Sequence, residues 1–427
     1  MFCPRLTLRS LTIRYLDDFT LTLGRQEYLP LLVGGMGVDI STPALVLAIS
    51  QLGGIAHLSD AMLPTVVDRH FGTRFVQRKR ERFARTGERD FDLTELRNAT
   101  DQYIGAVMSA KSGPGAIFLN VMEKLTMGDA RLTLQTRLAA AMDAGIDGLT
   151  LSAGLHLGSL DLIKDHPRFH DVKLGIIVSS VRALKIFLHR AARVNRMPDY
   201  IVIEGPLAGG HLGFPLNWQD FDLATIVAEV QRLLAQEGLC IPVIPAGGIF
   251  TGAEAVAFLE QGAMAVQVAT RFAITRECGL PDAVKQAFLA ARPEDVEVNM
   301  VSPTGYPMRM LKSSPAIGTL VRPMCESFGY GLDCRGECSY RTAFFQETEA
   351  GNVARQAEKI CLCTMMHGYK VWTCGQNVSR LKETTLRLPD GSYQLPSAAE
   401  VFLDYLHHAD RQPLFTAHSN DEIHSRR

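Results

Sequence analysis

Eight times between residues 29 and 270, a short apolar, β-branched-rich run gives way to a turn, and in most cases to a helical pattern. The runs cover residues 29–33, 55–59, 116–121, 148–152, 174–178, 201–204, 241–246 and 265–270. The helical patterns cover 44–52, 92–109, 130–144, 157–164, 181–194, 221–236 and 253–261. The first helix carries its own start signal, Ser41-Thr42-Pro43, with proline in the first turn and Gly53-Gly54 at its end. Strands alternating with helices imply a parallel sheet, and eight units within roughly 250 residues imply a closed α/β barrel, the (β/α)8 TIM barrel. A doubly wound open sheet would not need eight consecutive units. The barrel is expected over residues 1–309, with a basic excursion at about 68–112. A C-terminal cysteine-rich extension, 310–427, is expected to pack on it.

The excursion holds Arg69, Arg74, Arg78, Lys79, Arg80, Arg82, Arg85 and Arg89, with only Glu81 and Glu88 interspersed. A solvated charged face is the plain reading and contact with an anionic partner the sharper one. Over the whole chain the formal net charge is −1, which gives no reason to expect nucleic acid or an anionic membrane surface. No run approaches the ~18 apolar residues of a membrane span, and the first 22 residues mix arginines and aspartates among apolar ones. A cytoplasmic location follows by default, with a small-molecule substrate as the expected partner; homo-oligomerisation stays open.

Parallel barrels place their functional loops at the carboxyl ends of the strands. Gly34-Gly35-Met36-Gly37 follows the first run, Asn120 ends the third, and Ala208-Gly209-Gly210-His211 follows the sixth. Gly247-Gly248 follows the seventh, and Ala269-Thr270 ends the eighth. Glycine lets a backbone approach a ligand closely, and histidine trades a proton near neutral pH. The loops after strands seven and eight are where barrels commonly hold phosphate through backbone N–H groups. A Gly-Gly in one and a threonine hydroxyl in the other therefore point to a phosphate-bearing ligand. His211 has a bland alternative, a solvent-facing turn histidine, but its place opposite that phosphate site favours a functional role.

The order Gly-Gly-Met-Gly, Asn120-Val121, Ala208-Gly209-Gly210-His211-Leu212-Gly213, Pro245-Ala246-Gly247-Gly248-Ile249 and Thr270-Arg271-Phe272 resembles the nitronate monooxygenase (2-nitropropane dioxygenase-like) flavoproteins. Flavin-dependent enoyl-acyl-carrier-protein reductases and NAD(P)H:quinone reductases share this layout. The resemblance covers about residues 28–275, and Ala-Gly-Gly-His-x-Gly is its most specific element. It implies a (β/α)8 barrel binding FMN without a covalent link. Gly34, Gly35 and Met36 would line the isoalloxazine, and Asn120 would contact the flavin or its ribityl chain. Ala208, Gly209 and Gly210 would lie along the cofactor, and Gly247, Gly248, Ala269 and Thr270 would hold the phosphate. His211 would be the catalytic residue, acting as base or orienting an anionic nitronate during oxidation with O2. In the alternative, an NAD(P)H-dependent reductase of an enoyl thioester or quinone, it would position a carbonyl or supply a proton. A non-catalytic flavin-binding scaffold or accessory subunit is the third reading.

Three positions depart from the family pattern: Val33 stands where glutamine is common, Ala269 where glycine is usual, and Pro206-Leu207 where an acidic residue often precedes the motif. Six of the nine cysteines (Cys325, Cys334, Cys338, Cys361, Cys363, Cys374) fall in one late segment. They read either as structural thiols or as ligands for zinc or an iron–sulfur cluster, although a Cys-x2-Cys knuckle is missing. Cys374-Gly375-Gln376-Asn377 resembles a stretch in longer members of the family, which implies that the extension closes over the barrel mouth. His57 and His156 sit near strand ends and could reach the site, Cys278 could be a nucleophile, and Tyr306 could stack on a ligand; each also has a structural reading.

Overall fold

A computed structural model describes residues 14–88, 90–325, 329–331, 333, 335–350 and 358–407. Eight parallel strands close into a barrel: β1 (Leu31–Val33), β2 (Ile55–Ser59), β3 (Ala116–Met122), β4 (Gly148–Ser152), β5 (Lys173–Val178), β6 (Tyr200–Glu204), β7 (Val243–Ala246) and β8 (Val266–Val268). Each strand pairs with the next in sequence, and β8 returns to β1 through Val266–Leu31, Gln267–Leu32 and Val268–Val33. The expected TIM barrel is therefore the observed one, with each strand within two residues of its expected position.

The helices between the strands begin where small polar side chains offer an oxygen to the first free N–H groups. Thr42, Asp92, Asp129, Ser180, Asp222 and Thr251 each accept such a bond. At Thr251 the arrangement is reciprocal, because Glu254 reaches back to the Thr251 N–H. The basic excursion forms two helices, Leu63–Phe71 and Phe75–Thr86, ahead of helix Leu93–Ala110. Some of its charges are tied down within the protein: Arg78 pairs with Glu95, Arg82 with Glu88 and Asp92, and the buried Lys79 donates to the Glu88 carbonyl, while Arg74, Arg80 and Arg85 are exposed. Arg89 lies outside the described residues.

Inside the barrel the packing is aromatic and partly polar. Tyr200 and Phe118 stack with centroids 5.7 Å apart, and Gly175 has no side chain because a Cβ there would meet the Tyr200 ring at 2.1 Å. His57 lies in this interior, with Nδ1 2.8 Å from the Val33 carbonyl and Nε2 2.7 Å from the Thr150 hydroxyl. Burial lowers its pKa to about 4. Both ring nitrogens are satisfied within the core, so His57 is a structural histidine. The hairpin Leu21–Leu23/Gln26–Tyr28 packs Leu21, Leu23 and Tyr28 against Leu32, Ile55 and Phe118.

Beyond the barrel, helix Asp282–Ala290 leads to strands Val296–Asn299 and Met308–Leu311, which join Gly210–His211 in a three-stranded antiparallel sheet. Residue 309 falls inside that last long strand. The chain then continues through helices Ser339–Ala350 and Leu362–His367 and a 3-10 segment, Gln376–Thr384, to helix Ala398–His407. Phe402 of the last helix packs so tightly on the barrel that a Cβ on Gly54 would meet its ring at 2.4 Å. Among the described residues no helix is long and apolar enough to cross a membrane.

One buried ion pair fixes the loops above β2 and β3. Arg137 and Asp60 are each 1% exposed and bond directly to one another. Asp60 also accepts the Met122 N–H, and Arg137 donates to the carbonyls of Met122 and Leu125. Removing one partner strands a buried charge. Arg137→Leu is expected to cost about 3–5 kcal/mol in urea unfolding, with the double replacement Asp60→Leu/Arg137→Leu costing less than the single one. Equal or greater loss in the double variant would contradict this account.

Candidate active site

A cavity of about 650 Å³ opens over the carboxyl ends of the strands, a volume typical of small-molecule and cofactor sites. All twelve positions singled out in the sequence line it: Gly34, Gly35, Met36, Asn120, Ala208, Gly209, Gly210, His211, Gly247, Gly248, Ala269 and Thr270. The barrel's own closure brings them together. The Gly34 N–H donates to the Val268 carbonyl, so the loop after β1 and the end of β8 share one wall. The Gly205 N–H donates to the Ala246 carbonyl, which joins the loops after β6 and β7 in the same way.

Glycine is required at several of these positions. Gly247 and Gly248 both have φ near +90°, where a side chain is strained, and a Cβ on Gly248 would meet Leu207 at 2.8 Å. On Gly35 a Cβ would meet Asn120 Cβ at 2.5 Å, and on Gly209 it would meet the Cys374 backbone at the same distance. The last contact shows that residues far along the chain complete the cavity. Leu362, Cys363, Met366, Val371, Thr373, Cys374, Gly375 and Asn377 also line it, and Asn377 donates to the Gly248 carbonyl at 2.6 Å.

His211 faces the cavity, so its exposed surface looks into that space. Its Nε2 lies 2.6 Å from the Ser302 hydroxyl, which in turn lies 2.8 Å from the Thr304 hydroxyl. Ser302 is fully buried. The chain of hydroxyls fixes the ring and leaves Nδ1 as the nitrogen a cavity ligand can use. Withdrawal from bulk water lowers the His211 pKa to about 4, so the imidazole is neutral at pH 7. Glu204, at the end of β6, also lines the cavity, and burial pushes its carboxyl up to about 7. Two titratable groups with their pKa values driven apart at one cavity are a recurring mark of a reaction site.

Two buried side-chain oxygens at the cavity have no hydrogen-bond partner: Asn120 Oδ1 and Gln267 Oε1. Unmet buried acceptors are costly within a protein and suit a bound polar ligand that donates to them. Gln267 sits on β8 beside β1, and a Cβ on Gly34 would stand 3.2 Å from its amide nitrogen. An amide thus reaches the cavity from the neighbouring strand, although position 33 carries valine.

Glu204, Gln267 and Ser302 were missing from the sequence-derived set. Ser302-Pro303-Thr304 reads as a turn in sequence, and only the sheet formed by Met308–Leu311 with Gly210–His211 carries it to the histidine. Of the remaining candidates, Tyr306 lines the cavity rim and is 42% exposed. His156 is buried between the Ser152 carbonyl and the Ser159 hydroxyl. Cys278 is buried, and burial pushes its thiol up to about 11, which leaves it a poor nucleophile. Cys363 and Cys374 both line the cavity, and Cys363 also lies within electrostatic reach of Cys325, Cys361 and Cys338. Cys334 lies outside the described residues. Among those described, no group of three or more His, Cys, Asp or Glu side chains is arranged to hold a metal ion.

Fold and site together define a TIM-barrel protein with a glycine-walled cavity at its strand ends and a histidine held by a buried serine on one wall. The model of the nitronate monooxygenase family matches residues 24–320, and the chain belongs to this family. A relative from Mycobacterium tuberculosis, (3aS,4S,5R,7aS)-5-hydroxy-7a-methyl-1-oxo-octahydro-1H-indene-4-carboxyl-CoA dehydrogenase, is 36% identical over 139 residues, 33% of this chain and 36% of the relative. A nitronate monooxygenase from Paraburkholderia phytofirmans is 35% identical over 179 residues, 40% of this chain and 43% of that protein. The chain thus matches well under two thirds of the length of either relative. The structure of FabK from Thermotoga maritima superposes with a TM-score of 0.53 at 18% identity, covering 92% of this chain and 96% of that one, a likeness of fold.

Glu204 gives the site a pH signature. Its carboxyl holds a proton in the folded protein up to about pH 7, whereas the unfolded chain releases it near 4.5. The folded state therefore binds more protons between these values, and this contribution to stability falls as pH rises through that window. Glu204→Gln should gain stability relative to the parent at pH 8 and not at pH 4. Equal effects at both pH values in urea unfolding would show that Glu204 titrates normally.

Proposed function

We propose that the protein is an FMN-dependent oxidoreductase that oxidises alkyl nitronates with O2, with His211 as its catalytic residue. The observation that carries this reading is the convergence of all twelve expected positions on one cavity, with His211 held by Ser302 on its wall. The cavity's chemistry fits the cofactor: a glycine-lined channel, two unmet buried acceptors at Asn120 and Gln267, and the Gly247-Gly248 and Ala269-Thr270 pair where barrels take phosphate. Gly34, Gly35 and Met36 would lie beside the ring system, with Ala208, Gly209 and Gly210 along the cofactor. When bound, FMN supplies the electron acceptance that no side chain can.

The residues of the chain then orient and discharge the substrate. With Nε2 engaged by Ser302, His211 presents Nδ1 to the ligand. When the Ser302 hydroxyl donates to Nε2, Nδ1 carries the hydrogen and donates to an anionic nitronate oxygen. In the opposite sense, Nδ1 carries a lone pair and accepts a proton. The buried Ser302–Thr304 pair supports either tautomer without water. Leu212, Met308 and Phe288 contribute apolar walls that suit an alkyl substituent.

A second reading, reduction of an enoyl thioester with NAD(P)H, draws on the same histidine as proton donor to a carbonyl. The similarity to a carboxyl-CoA dehydrogenase supports it. Purified protein should be yellow and release FMN on denaturation. Anaerobic addition of an alkyl nitronate should bleach the flavin, whereas bleaching by NADPH or NADH and not by nitronate would replace the first reading with the second. His211→Ala should keep FMN and lose about 10²–10⁴-fold in turnover, the range expected for a positioned acid or base. Unchanged turnover would remove His211 from the mechanism.

A further inference from the structure

Four arginines are buried among the described residues, and three of them meet a carboxylate: Arg137 with Asp60, Arg196 with Asp199 and Arg271 with Asp404. The fourth, Arg309, is 0% exposed and pairs with none. Its Nη1 donates to the carbonyls of Pro206 and Ala208, and its guanidinium lies 4.3 Å over the Trp218 ring. Among the described residues Nε and Nη2 have no acceptor. The ionisable group that acts on it is the Cys374 thiol, which burial pushes up to about 12 and so keeps neutral. A buried cation without a counter-ion is costly, and such charges are usually paired or compensated.

The position of Arg309 indicates what compensates it. It stands opposite Gly210 in the antiparallel pair, and the carbonyl oxygens it binds belong to the segment whose other side, Leu207 to Gly210, walls the cavity. One thickness of backbone separates the charge from any ligand there. We propose that Arg309 is a buried counter-charge that biases the cavity towards anionic occupants: the reduced, anionic form of the bound cofactor and a substrate that enters as an anion. This rests on the FMN reading given above. It goes beyond that reading by assigning the electrostatic preference of the site to a residue that does not itself line the cavity. In a low-dielectric setting a fixed, preorganised charge acts on a ligand without reorganising.

Two replacements separate charge from packing. Arg309→Gln keeps an N–H donor for the two carbonyls and removes the charge, while Arg309→Lys keeps the charge and changes the geometry. The midpoint potential of the bound FMN is read by anaerobic spectroscopic titration against reference dyes in parent and both variants. Arg309→Gln should disfavour the reduced form at least tenfold, about 30 mV lower for a two-electron couple, with Arg309→Lys retaining most of the parent value. Equal shifts in both variants would make Arg309 a scaffold for the loop alone, and no shift in either would remove its electrostatic role. If Arg309→Gln fails to fold, Arg309→Met supplies the uncharged arm, since replacing a buried charge with an apolar side chain of similar length is often tolerated. Parent protein that takes up no FMN would overturn the function proposed above and this inference with it. Yellow parent protein with an unshifted uncharged variant overturns only this one.

Discussion

Everything at the cavity depends on the return of β8 to β1. Three residues of each strand pair in parallel, and the Gly34 N–H extends the ladder by one bond past them to the Val268 carbonyl. That closure converts two loops more than 230 residues apart in the chain into neighbours, and it does so through main-chain groups that no side-chain replacement removes. The glycines then follow from geometry. Once two strands end side by side, whatever rises from their ends must stay thin, or the space above them fills with side chains.

The alternation of apolar runs and helical patterns made the barrel legible from sequence, because a period repeated eight times leaves few topologies. The glycine pairs, Asn120 and His211 were legible for a related reason: they fall immediately after strands, where a barrel places its ligand loops. Glu204, Gln267, Ser302 and Arg309 were not. Gln267 sits in a strand whose outward and inward faces cannot be told apart, because its two neighbours on either side are all apolar. Ser302 and Arg309 reach the site through a two-residue pairing of Gly210–His211 with Met308–Leu311, a contact with no periodic trace. Cysteine spacing says less: the late cysteines are close in the chain, and only the fold shows that Cys363 and Cys374 both reach the cavity wall while Cys363 also lies near Cys325, Cys338 and Cys361.

The protein handles buried polarity in two contrasting ways. Arg137 and Asp60 neutralise one another and hold two loops in place, so their contribution is internal and complete. At the cavity the opposite holds: Asn120 and Gln267 keep acceptors unmet, burial raises the Glu204 carboxyl to about 7, and it lowers the His211 imidazole to about 4. The two unmet acceptors are the ones a ligand would complete, and stability gained on binding is the expected corollary.

The close approach of Gly209 to the backbone of Cys374 bears on how such a protein is made. The strand-six loop cannot settle against its final neighbour until the ribosome has added more than 160 further residues. A nascent chain carrying all eight strands therefore lacks both part of the chamber wall and the helix Ala398–His407 that packs on the barrel. Residues 373–377 act as the last panel of the wall, and a cofactor captured before they arrive would be held by the barrel loops alone.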